Sequence, residues 1–123
     1  MIALRALALA GLGLVLAACT NEKEVAGQQA YRHGFEAIGQ GDWLKAQEYL
    51  TQAKAAFPKD PYVLLNLGVV AQRLGRFDEA RGYYQQVIDQ APDVVPQQVS
   101  DPAAAGKSLA DLARDDLATL PPS

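Results

Sequence analysis

Two side chains in this sequence could do covalent or acid–base chemistry, and the chain has one of each: Cys19 and His33. A nucleophile or general base needs a partner within hydrogen-bond reach, and usually a third group to orient the pair. His33 falls within a helix-patterned stretch at a core-facing position, which reads as a partly buried, satisfied histidine. The acidic pairs Asp78-Glu79 and Asp115-Asp116 are the other candidates. The first opens a helix, where carboxylates favour the positive end of the dipole; the second lies on a solvated face. Neither pair has His, Ser or metal-ligand neighbours at useful spacing. No phosphate-cradling GxxxxGK is present. The expectation is therefore no catalytic residue, no metal site and no enzyme activity. With a single Cys, a disulfide within the chain is impossible.

Cys19 is informative for its position. Residues 1–19 read MIALRALALAGLGLVLAAC: a short positive start with Arg5, then an uncharged run from Ala6 to Ala18. A helix that crosses a bilayer needs about 20 apolar residues. This run is shorter and ends in small residues, as a secretory signal does. The run also inflates the hydrophobic fraction of 50 %. Leu16-Ala17-Ala18-Cys19 resembles the lipobox of bacterial lipoproteins. That resemblance implies removal of residues 1–18 and acylation of Cys19, with no cofactor beyond this covalent lipid. An ordinary signal peptide with a chance Cys, or a short buried N-terminal helix, are the alternatives. Several acyl chains hold a protein on a membrane surface without spanning it. Thr20 follows the Cys. In Gram-negative lipoproteins an Asp there typically signals inner-membrane retention, so the resemblance implies the outer membrane, facing the periplasm.

Residues 20–26 (TNEKEVA) are polar and read as a tether, 19–26, between lipid and body. Of the 11 Lys and Arg residues only Arg5 precedes Cys19, and all 14 Asp and Glu follow it. The mature chain is mildly acidic with mixed charges. It offers no basic cluster to neutralise phosphates, so no nucleic-acid partner is expected.

The body repeats itself at a spacing of 34 residues. Gly34 matches Gly68, Gly41 matches Gly75, Ala46 matches Ala80, Tyr49 matches Tyr83 and Pro58 matches Pro92. Each repeat, 27–60 and 61–94, has the pattern of a helical hairpin. A first helix over about 28–40 ends at Gly41, which tolerates positive φ. Asp42 caps the next, which stops near Phe57 before Pro58. In the second repeat Asp60 caps, Pro61 occupies the first helical position, Gly75 ends the helix, and another runs from about Phe77 to Ala91. Small residues are needed where antiparallel helices approach closely, so Gly34 is expected to face Ala46 and Gly68 to face Ala80. Trp43, Leu44, Leu50 and Ala53, then Leu64, Leu67, Phe77, Tyr84 and Val87, are expected to fill the surrounding core.

This pattern resembles the tetratricopeptide repeat (TPR) family, whose units are helix–turn–helix hairpins of 34 residues. The stretch NLGVVAQRLGRFDEARGYYQQVIDQAP carries the resemblance, through Asn66, Leu67, Gly68, Gly75, Phe77, Asp78, Glu79, Ala80, Tyr84 and Pro92. The first repeat departs from it at His33 and Ala37. The resemblance implies an all-α fold: a short α-solenoid of two repeats. It also implies a concave partner-binding groove lined by the first helix of each repeat. The matching positions are Tyr31, Arg32, Phe35, Tyr62, Leu65, Asn66, Val69 and Arg73, with Gln28, Ile38 and Gln72 beside them. The aromatic and aliphatic members make an apolar floor; Arg32, Asn66 and Arg73 could fix a carbonyl or carboxylate. A carboxylate clamp of the kind found in chaperone-binding members is not expected, because Tyr31, Phe35, Leu65 and Val69 stand where polar groups would be required. The same aromatics could instead pack against the tether, connector or final helix.

Past Val94 the period is lost. Residues 95–107, with Pro96 and Pro102, read as a connector. Ser108 then opens a helix over 108–120 with Asp111 three residues on, close to a capping box. Leu109, Leu112, Ala113, Leu117 and Leu120 form one apolar stripe. Two solenoid repeats cannot bury their own end face, so this helix is expected to cap the second repeat; a homodimer would solve the same problem. The functional expectation is an outer-membrane-anchored adaptor that holds a protein or peptide partner of the cell envelope. Similar lipoproteins serve pilus, secretion or cell-wall systems. The alternative is a structural subunit that dimerises or docks permanently through the same helical surface.

Overall fold

A computed structural model describes the backbone of residues 2–90, 93–97, 99 and 101–123, and side chains from Asn21 onward within these spans. Cys19's side chain and all of Pro92 lie outside the described residues. Among the described residues five α-helices follow in order: α1 Ile2–Gly39, α2 Trp43–Ala56, α3 Pro61–Arg73, α4 Phe77–Gln90 and α5 Leu109–Thr119. A short 3₁₀ turn, Pro102–Ala104, precedes α5. No strand occurs among the described residues. None of their helices is both long and apolar enough to cross a membrane.

The punctuation is local chemistry. Gly41 and Gly75 adopt φ of +72° and +76° between the helices of each hairpin, the left-handed region open to glycine without a Cβ penalty. Asp42 accepts from Lys45 N and caps α2. Asp60 accepts from Tyr62 N and Val63 N ahead of Pro61. Ser108 accepts from Asp111 N at the head of α5. Each satisfies amide donors that a helix start leaves without partners.

The first helix begins far earlier than the expected residue 28. Its backbone is continuous from Ile2 through the segments read as signal and tether to Gly39. Residues 20–26 contain neither Gly nor Pro, and Glu22, Lys23, Glu24 and Ala26 are good helix formers. Nothing there breaks the helix. Gly27 lies within this helix and packs closely on α2, with Ala56 Cβ and the Phe57 ring where a Cβ would lie.

Two cores share α3. Val63, Leu67 and Val70 on one face of α3 close over Ala30, Ala37, Ala46, Leu50 and Ala53 of the first hairpin. Leu64 and Ala71 on its other face join Ala80, Tyr84 and Val87 of α4, together with Leu109, Ala113 and Leu120 from the C-terminal segment. So α5 does cover the second hairpin, chiefly along α4. Fully burying a leucine contributes about 1.5–3 kcal/mol, and Leu109 is buried among these residues.

The close approaches involve different pairs from those expected. The nearest side chain to Gly34 is Leu50, 2.7 Å from where a Cβ would sit, and the nearest to Gly68 is the Tyr84 ring, at 2.5 Å. Ala46 and Ala80 are fully buried one turn earlier. Leu50 and Tyr84 take the space the glycines leave, and at Gly34 the backbone N of Leu50 itself comes within 3.4 Å of where the Cβ would sit. Three further residues sit elsewhere than expected. Leu44 is 67 % exposed, because it lies two positions, or about 200°, from Ala46 on the α2 wheel. Phe77, in the first turn of α4, is exposed beside Pro121 and Pro122. His33 is not core-facing: its side chain is 52 % exposed, 3.6 Å from the Glu36 carboxylate, with its ring 5.3 Å from that of Tyr49. The inward face of α1 is Ala30, Gly34 and Ala37, and His33 lies about 100° off Gly34.

Two glycines give opposite predictions. In Gly68→Ala the new methyl meets the buried Tyr84 ring. Overpacking of about 1–3 kcal/mol should outweigh the roughly 1 kcal/mol gained in helix propensity, lowering the thermal midpoint by several degrees. Gly82, exposed in α4, has nothing within 4 Å of an added Cβ, so Gly82→Ala should raise it. Thermal unfolding followed by circular dichroism separates the two; a neutral Gly68→Ala would contradict the packing described.

Candidate functional site: the groove between the first helices

The groove begins with the partly exposed faces of α1 and α3. Tyr31 and Phe35 are one helical turn apart and stack with ring centres 6.4 Å apart and 30° between their planes. From α3, Tyr62, Leu65 and Val69 continue the apolar floor, with Asn66 and Arg73 beside them. Arg32 lies at one end with Asp60. All eight residues expected in the groove thus line one or other of two adjoining hollows. Gln72 is not among their lining: its Oε1 accepts from Tyr84 Oη and its Nε2 donates to Thr119 Oγ1, both at 2.8 Å.

The polar groups are fixed by their neighbours. Asn66 Nδ2 donates to Tyr31 Oη at 3.1 Å across the two repeats. Burial, aided by the Asp60 charge, pushes the Tyr31 phenol above its ordinary value, while the Asn66 hydrogen bond opposes the shift. It stays a neutral hydroxyl. The Arg73 guanidinium lies 5.3 Å over the Trp43 ring, a cation–π contact that holds it at the rim.

The far wall comes from the chain's own C-terminal segment. Pro96 and Val99 of the connector, Asp101 and Ala103 at the 3₁₀ turn, and Leu112 and Asp116 of α5 all line the second hollow. The wall is held by the bond from Leu109 N to Val94 O at 2.7 Å and by Lys107 to Asp115 at 2.6 Å. Asp116, expected on a solvated face, is half-buried. Trp43, expected in the core, is only partly buried and also lines the groove. The signal for Asp116 was available: it lies four residues after Leu112 and shares its face of α5. The groove is thus a walled trough, both apolar and charged, and no group of three metal-ligating side chains occurs among the described residues.

Asp116 allows a pH test. Burial first, and the nearby Asp115 charge second, raise its carboxyl above the ordinary value, with Arg73 opposing. A carboxylate raised on folding costs stability as pH rises from its unfolded value through its folded one, and costs nothing below both. Asp116→Asn should therefore melt a few degrees higher at pH 7 and lose that advantage near pH 3. Equal gains at both pH values would contradict the charge explanation.

The sequence model of the tetratricopeptide repeat matches residues 31–94, just over half of the chain. No curated protein and no solved structure matches it in the corresponding comparisons. Domains of this family generally bind protein partners. The matched span contains the last nine residues of α1, all of α2, α3 and α4, both glycine turns and the whole apolar floor of the groove. With two hairpins stacked in the repeat's own order, the chain belongs to the tetratricopeptide repeat family.

Proposed function

We propose that this protein is a lipid-anchored adaptor of the bacterial cell envelope, tethered through Cys19, in the outer membrane facing the periplasm. In this role it holds a protein or peptide partner in the α1–α3 groove during assembly of an envelope machine such as a pilus, secretion or cell-wall system. One observation carries the binding half: Tyr31, Phe35, Tyr62, Leu65 and Val69 share a trough with hydrogen-bond donors from Asn66 and Arg73. An apolar floor with a few placed polar groups is what peptide recognition requires. The anchoring half rests on Leu16-Ala17-Ala18-Cys19 and on the chain's lack of any other Cys. The polar 20–26 segment that follows is helical, so it would act as a spacer of about 1.5 Å per residue.

The test is crosslinking and pull-down from cells that express the tagged full chain, the Tyr31→Ala/Tyr62→Ala variant, or Cys19→Ser. The aromatic double variant should lose the partner while keeping most of its thermal stability. Cys19→Ser should leave the membrane fraction and stop incorporating labelled palmitate. A large stability loss with the partner retained would make the aromatics packing residues. A tight oligomer by light scattering, with no partner recovered, would favour a structural subunit. An unchanged membrane fraction and palmitate label for Cys19→Ser would remove the anchor.

A further inference from the structure

Two hollows, of about 600 and 470 Å³, adjoin along the groove, and both are lined by Tyr31, Phe35, Tyr62 and Pro96. They share this wall, with Pro96 of the connector beside both. Resting on the reading that this groove receives a partner segment, we propose that the segment is extended and proline-bearing, and that Val95-Pro96-Gln97 of the chain itself marks its place.

Three features lead there. The wall common to both hollows is aromatic, with Tyr31 and Phe35 stacked and Tyr62 alongside. Rigid, apolar pyrrolidine rings pack on such surfaces, and a polyproline II strand is ordered before it binds, so little freedom is lost. Such a strand has no internal hydrogen bonds and presents bare carbonyls. Arg32 lines one hollow and Arg73 the other, and their guanidinium groups can donate to such carbonyls. The resident segment leaves apolar surface open: Val94, whose carbonyl accepts from Leu109 N, and Val95 remain 39 % and 50 % exposed. An incoming strand that displaces it can cover the same aromatic wall. A helix, about 10 Å across, would instead have to clear the whole connector.

Trp43 is the chain's only tryptophan and lines the groove, so its emission reports occupancy. The full chain in detergent is titrated with decaproline and, as a flexible extended control, with a Gly-Ser decapeptide. Decaproline should give a saturable Trp43 shift, with the control roughly ten-fold weaker or silent. Phe35→Ala, exposed and outside both cores, should weaken decaproline by about ten-fold, as loss of an aromatic contact implies. Pro96→Ala should tighten it by loosening the resident segment. No saturable response from either the parent or Pro96→Ala, or an equal response to the Gly-Ser peptide, overturns the inference. If the groove-dependent partner is still recovered from cells, only the proline preference falls; if that partner is also lost, the groove reading falls with it.

Discussion

The whole arrangement depends on burying the outer face of the second hairpin. A helical repeat leaves one apolar face open, and a neighbour must cover it. For the first hairpin the neighbour is α3, through Val63, Leu67 and Val70. For the second it is α5, whose Leu109 and Ala113, with Leu120 at its end, close over Leu64, Ala71, Tyr84 and Val87. Because α5 must return along α4, the connector has to travel back past the first helices. Its Pro96, Val99 and Ala103 then stand at the groove. A solution to a stability problem thereby shapes the binding surface.

The two sides of that surface differ in how firmly they are built. The floor sits on α1 and α3, locked by glycine approaches and by bonds between elements. Tyr84 Oη donates to Gln72, Gln72 donates to Thr119, and Thr119 Oγ1 donates to Asp116 O at 2.7 Å, linking α4, α3 and α5. Asn66 ties α3 to Tyr31 of α1. Along the connector wall Val94 and Val95 are exposed, while Val99 lines the groove. A rigid floor keeps recognition groups in place.

What could be read from the sequence was local. Gly41 and Gly75 needed positive φ, and Asp42, Asp60 and Ser108 capped the helices that follow them; each is settled within four residues. The two-hairpin order followed from the 34-residue spacing, and the groove floor was what the resemblance to the repeat family implied. Three kinds of fact were not legible. The glycine partners are Leu50 and Tyr84, one turn beyond the alanines, because spacing alone does not show which turn of the facing helix meets each glycine. The outward turn of His33 and Leu44 depended on phase differences of 100° to 200° that residue type did not reveal. The path of the connector was non-local. Asp101 accepting from Ala103 N, and Gly106 at φ +79°, set its turns, but only the docking of α5 determines that it passes the groove.

The cap is tested most directly by comparing the unfolding of the full chain with that of the chain lacking residues 106–123. If α5 closes the second hairpin, the truncated chain unfolds at a lower temperature, with a broader transition, or self-associates through the bared Leu64, Tyr84 and Val87 surface. A truncated chain that stays monomeric and melts as sharply and as high as the full one would contradict the account.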